Sequence, residues 1–323
     1  MSSSSSIPES VPPWQWPVVL GLIQPIIACT WLGWLAASYK LYVSGAQYLA
    51  LGLAVWLIYT LDGLLDARNH REGEPLSPRR AFLRKHAGWF WLFTFVGSGC
   101  LLGIALSELG SGLFLSGIFL GLLVLFYLGH AQNLRKAQFT FLPKEVFGGV
   151  LFAMGVGLVI IEAHGRGAVG PVSVESALMA VKGGLLSAIL WLIQSILFLL
   201  LTIFTDGAVV LFALLCVANT LLTVRHEAVG LGDVTSAKRL APGLVALAPV
   251  LTLALALSSL VNLTINRSPE LRPVHGAVAL CATLMFTVHH FARNHRLNGP
   301  LAAFLLDVAL LAPLALFPFN PPV

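Results

Sequence analysis

Ten apolar runs, near 17–37, 46–66, 88–106, 112–129, 145–161, 183–205, 208–224, 241–261, 274–292 and 300–317, take up most of this 323-residue chain. An α-helix needs about 20 residues to cross the roughly 30 Å of hydrocarbon in a bilayer, and these runs are of that order. Inside hydrocarbon every backbone N–H and C=O must be satisfied within the protein, which leaves helices or a closed barrel. Long unbroken runs do not match the short alternating segments of a barrel strand. Hydrophobic residues make up 57% of the chain and charged residues 10%, and the mean hydropathy is +0.87. These values place it among all-α polytopic membrane proteins. No soluble domain or internal repeat intervenes, so 17–323 reads as a single transmembrane helical domain.

Residues 1–16 carry no Lys or Arg and so lack the charged region of a secretory signal peptide. They read as a disordered cytoplasmic tail. Trp14, Trp16, Trp31 and Trp34 edge the first run and suit an anchored helix. Cys29, Cys100, Cys216 and Cys281 are scattered, with neither disulfide nor zinc spacing, and read as small core residues.

Basic residues set the orientation. The loop 67–87 contains Arg68, Arg71, Arg79, Arg80, Arg84 and Lys85, and the positive-inside rule places it in the cytoplasm. Arg79, Arg80, Arg84 and Lys85 read as topogenic charges facing water and lipid phosphates. The loop 130–144, with Arg135, Lys136 and Lys144, then also falls inside. If only one of the runs 183–205 and 208–224 crosses, 14 of the 19 Lys and Arg residues are cytoplasmic. If both cross, the number falls to 11 of 19. The sequence therefore predicts about nine transmembrane helices, with 183–205 an extra apolar segment lying along the outer interface or re-entering. The pI of about 9.2 follows from the cytoplasmic loops and anionic-lipid contact. It does not point to nucleic acid, and no protein partner can be read from the chain.

Asp62 and Asp66 stand four residues apart at the cytoplasmic end of the second run, on one helix face. A charged side chain at a helix centre costs about 2.5–3.5 kcal/mol on insertion scales, and less near the interface. Such a pair calls for a cation. The plainer alternative is an interfacial helix end whose carboxylates neutralise Arg68 or Arg71 through solvent. Four polar loops converge on the cytoplasmic face, bringing Lys144, Arg225, Glu227, Asp233, Arg293 and Arg296 towards the pair. Carboxylates among Arg and Lys suit Mg²⁺ holding a phosphorylated ligand. Lys144 with Glu145 also reads as a solvated pair opening a helix, and Glu227 and Asp233 as ordinary loop charges around Gly230 and Gly232. Within the apolar runs, Asn219 reads as a packing amide bonded to another helix. Asp307 must face a protein partner or a cavity. His289, His290 and His295 have no metal-ligand spacing and read as interfacial.

The segment Leu61-Asp62-Gly63-Leu64-Leu65-Asp66-Ala67-Arg68 resembles the first aspartate-rich motif, Asn-x-x-x-Asp-x-x-x-Asp, of the UbiA superfamily of intramembrane prenyltransferases. Pro143 to Gly155, Phe212 to Asn219 with Arg225-His226-Glu227, and Leu301 to Pro313 are similar to helix segments of a divergent bacterial branch. The resemblance implies a nine-helix bundle in a bacterial inner membrane, with the N-terminus and acidic motifs on the cytoplasmic side. It implies transfer of an isoprenyl group from a diphosphate donor to a lipid-soluble acceptor, with Mg²⁺ as cofactor. Asp62 and Asp66 would be the catalytic pair and hold Mg²⁺, with Glu227 and Asp233 as further metal ligands. Arg68, Arg71, Lys144 and Arg225 would contact the diphosphate. The chain departs from the pattern at Ile58, which replaces the motif asparagine, and in its second acidic motif, reduced to Glu227 and Asp233. Both departures fit an alternative, a relative that binds or carries a phosphorylated lipid or small molecule without transferring a group.

Overall fold

The computed structural model describes residues 12–68, 78–134, 143–168, 174–191, 193–195, 206–226, 242–265 and 271–316. Among them are helices α1 (Trp16–Val19), α2 (Ile23–Ser38), α3 (Gly45–Arg68), α4 (Pro78–Lys85), α5 (Ala87–Ser107), α6 (Ser111–Leu134), α7 (Lys144–Ala168), α8 (Val174–Lys182), α9 (Leu185–Ser195), α10 (Gly207–His226), α11 (Pro242–Ile265), α12 (Leu271–Arg293) and α13 (Gly299–Ala309). No strand is present among the described residues. Among the described residues, seven helices are long and apolar enough to cross a membrane, or eight if Pro13–Val19 and α2 together count as one bent span.

This count is coarser than the nine crossings read from the charges, which did not include 183–205, and the difference lies in two places, the first run and the last. The first run is not one straight helix. A 74° bend separates Pro13–Val19 from α2, and Gly21 stands there at φ +69°, a left-handed conformation that favours glycine. The last run gives the 11-residue α13 followed by a 3-10 turn at Ala312–Ala315. At 1.5 Å per residue α13 rises only about 16 Å. In the run 183–205, residue 192 and residues 196–205 lie outside the described set. The expected tail also shortens from its far end, because Pro13–Gln15 forms a 3-10 turn.

The centre of the bundle is α10, most of whose residues are buried, whereas α5 at the periphery buries only Phe90 and Thr94. Asp206 starts α10 by accepting hydrogen bonds from the Ala208 and Val209 amides, both at 3.0 Å, which favours a negative charge at a helix N-terminus. Trp31 of α2, fully buried, stacks on Phe212 of α10 with ring centroids 4.3 Å apart. Its indole donates to the Leu310 carbonyl at 2.9 Å. Small residues at Gly149, Ala153 and Gly157 recur every four positions along α7. A Cβ on Gly149 would lie 3.1 Å from the Val217 backbone nitrogen, so α7 and α10 meet almost backbone to backbone. Cys216 and Cys281 are buried, Cys29 is half-buried, and Cys100 is exposed on the outer face of α5, unlike the core residue expected there.

The described ends of the helices flanking the loops 67–87, 130–144, 225–240 and 293–299 gather at one end of the bundle. Asp66 at the end of α3 meets Lys144 at the start of α7. Thr220 of α10 donates to the Glu145 carbonyl at 3.2 Å. The space a Cβ would occupy on Gly299, opening α13, is taken by the His226 carbonyl at the end of α10.

Candidate functional site

The helix that builds this end is short. Pro78 opens α4, where its missing N–H costs nothing, and Arg84 and Lys85 in the last turn complement the helix dipole. The exposed Arg84 and Lys85 face outward, whereas Leu83 is buried with Leu64 and Phe90. A Cβ on Gly63 would lie 2.6 Å from the Leu83 Cδ1 atom, so the absence of a side chain lets α4 settle onto α3 between the two aspartates. This packing carries Arg79 and Arg80 inward. They are not the outward-facing topogenic charges that the loop composition suggested, and both line a cavity between the helices.

Asp66 is 4% exposed and is compensated by two cations. Arg80 donates from Nη2 to its Oδ2 at 2.9 Å, and Lys144 Nζ lies 3.5 Å from the same oxygen. A buried carboxylate requires such pairing, because removing it from water costs several kcal/mol. One turn earlier the arrangement differs. The Asp62 Oδ1 atom is buried and accepts no hydrogen bond, although Lys144, Arg79 and Arg80 all act on its charge alongside Asp66. A buried acceptor without a donor costs about 1–3 kcal/mol, and more when charged. Arg79 is incompletely used too. Its Nη2 donates to the Tyr59 carbonyl at 2.9 Å, while its Nε is buried with no acceptor. Burial pulls the Arg79 pKa below the ordinary arginine value, and the nearby Asp62 charge is the largest opposing influence.

These groups form the charged end of a cavity of about 970 Å³, at the upper end of the size range of ligand pockets. Its walls are largely apolar, with Leu57 of α3, Leu101 of α5, Leu120 of α6 and Leu151 and Phe152 of α7 among them. A second polar group lines the same space: Gln24, Asn219, Thr223 and Asp307. Asp307 accepts from the Asn219 amide at 2.9 Å and from the Gln24 amide at 3.1 Å. Both apolar-run residues read from the sequence thus have partners on other helices, and they bond each other.

Of the residues expected at the site, Asp62, Asp66 and Lys144 are brought together, and Lys144 is a member of the ion-pair cluster. Two others are placed elsewhere. Arg68 is exposed at the end of α3 and does not line the cavity. Arg225 donates to the Val245 and Ala246 carbonyls at 3.2 and 3.0 Å and ties α10 to α11. Arg71, Arg135, Lys136, Glu227 and Asp233 lie outside the described residues. His289 is paired with His226 at 2.9 Å between ring nitrogens.

The donor chemistry at Asp62 fits a hard divalent cation. Its buried oxygen is unclaimed, Asp66 is one turn away, and Mg²⁺ binds through one or two carboxylates plus phosphate oxygens and waters. Among the described residues no group of three or more His, Cys, Asp or Glu side chains assembles as a metal site, so an ion there would share its coordination with ligand and water. No family model, curated protein or solved structure matches the chain.

Proposed function

We propose that the chain is a membrane prenyltransferase of the nine-helix UbiA type, moving an isoprenyl group from a diphosphate donor to a lipid-soluble acceptor. The observation that carries this reading is the unpartnered, buried Asp62 oxygen among cations at the charged end of a large apolar cavity. Three cations, Arg79, Arg80 and Lys144, line that end with three carboxylates, Asp62, Asp66 and Glu145. A bare anion would be repelled by Asp62, and a bare cation by the arginines. A divalent cation carrying a phosphorylated ligand satisfies both sets.

In this reading Asp62, with Asp66 beside it, holds Mg²⁺, which when bound shares the charge of the departing diphosphate. Arg79, Arg80 and Lys144 supply donors to phosphate oxygens and stabilise the same charge from the protein side. The apolar walls receive the isoprenyl chain and keep water from the allylic carbon as its bond to oxygen breaks.

The test is purified protein in lipid bilayers with labelled isoprenyl diphosphate and Mg²⁺, following diphosphate release. Asp62→Asn is expected to slow release by about a hundredfold or more, the scale of removing one charge-stabilising group. Equal release by the variant overturns the reading. Two observations favour the second reading, a relative that binds or carries a phosphorylated lipid without transfer: Ile58 offers no oxygen, and Asp66 already has two cations. Saturable Mg²⁺-dependent binding with no diphosphate released would support it.

A further inference from the structure

The charged end leaves the cavity's second polar group without a role. Asn219 and Thr223 stand one turn apart on α10, and Asp307 faces them from α13. The orientation of the Asn219 amide is fixed by chemistry. Its nitrogen lies 2.9 Å from Asp307 Oδ1, and the reverse orientation would set two acceptor oxygens against each other. The Asn219 Oδ1 atom is therefore directed away from Asp307, and there it is buried with no donor, on a residue 5% exposed. The Thr223 hydroxyl oxygen is likewise buried and without a hydrogen bond. Two unfilled polar atoms one turn apart, on residues that line a mostly apolar cavity, match a ligand that brings its own hydrogen-bond donor.

We propose that Asn219, Thr223 and Asp307 form a head-group subsite for an apolar molecule bearing a hydroxyl or N–H donor. On the transferase reading this molecule is the acceptor, and only that identification rests on the reading. Asn219 Oδ1 accepts the ligand's donor, the Thr223 hydroxyl can donate to the ligand's oxygen, and Asp307 holds the Asn219 amide in the accepting orientation. Gln24, donating to the other Asp307 oxygen, fixes the carboxylate in turn. The charged end selects a phosphorylated donor, whereas this subsite selects mainly by hydrogen bonding.

The probes are 4-nonylphenol and its methyl ether, 4-nonylanisole, titrated at matched lipid mole fractions into the full chain in nanodiscs. The phenol is expected to bind about tenfold more tightly than the ether, the scale of one buried hydrogen bond. Asn219→Leu and Asp307→Asn are expected to remove that preference, the first by deleting the accepting oxygen and the second by freeing the amide that presents it. If Asp307→Asn proves unfolded by thermal melting, the near-isosteric Asn219→Leu decides. Equal affinity for phenol and ether in the wild-type protein, or a preference that survives in the folded variants, overturns the subsite. Failure of the transferase reading is separate. Phenol preference without diphosphate release leaves the subsite standing, and release without phenol preference leaves the transferase standing and removes the subsite.

Discussion

Carboxylates occupy two regions of the one cavity, and they are compensated by different means. At the charged end, Asp66 is held by the formal charges of Arg80 and Lys144. Further along, Asp307 is held chiefly by the neutral amides of Asn219 and Gln24, with the Arg79 charge a lesser influence. A cation can be shared with an incoming anion without changing its own charge state, so the charged end suits exchange of a charged ligand. An amide offers direction and little charge, so the Asp307 region suits orientation. The contrast separates a place where charge is handled from a place where a molecule is aligned.

The largest expected effect tests the charged end. Asp66→Ala would leave Arg80 and Lys144 without their shared carboxylate, and breaking a buried pair costs about 3–5 kcal/mol, read as a loss of unfolding free energy in detergent. Asp307→Ala should cost less, about 2 kcal/mol by the same measurement, because it strands two neutral amide donors. A cost at Asp307 equal to that at Asp66 would break the distinction between charge and amide compensation. The smallest effect comes from Gly63→Ala. Pressing Leu83 away from α3 is expected to cost about 1 kcal/mol, the low end for overpacking. By moving α4 it should also weaken Mg²⁺-dependent diphosphate binding, measurable by titration, while leaving phenol binding at the inner subsite unchanged. Parallel losses at both places would mean that the two regions act as one.

The outline of the site was legible in the residues themselves. Asp62 and Asp66 share a face because helical spacing requires it, and a bilayer-depth Asn219 or Asp307 demands a partner wherever the fold supplies one. The arginines were not legible in the same way. Arg79 and Arg80 look like any cytoplasmic loop charges until α4 packs over Gly63, and that is a tertiary event. The signal available was local: Pro78 ahead of Phe82 and Leu83 marks a short helix with an apolar side. The Gln24 to Asp307 bond joins residues 283 positions apart, and no local pattern encodes it. The helix count suffered from the same limit. Apolarity measures whether a segment tolerates lipid, but not whether it runs straight, and Gly21 bends the first run.

The close contact of α7 and α10 has a mechanical consequence. Where two helices touch through glycine and backbone atoms, as at Gly149 and Val217, no side chain is left between them to rotate out of the way. That seam behaves as the stiff keel of the molecule. α5, which also lines the cavity but keeps most of its surface towards lipid, is its compliant wall. Traffic of a bulky, membrane-dissolved guest into the cavity is therefore a matter of how far α5 yields, and its rate should follow the fluidity of the surrounding lipid.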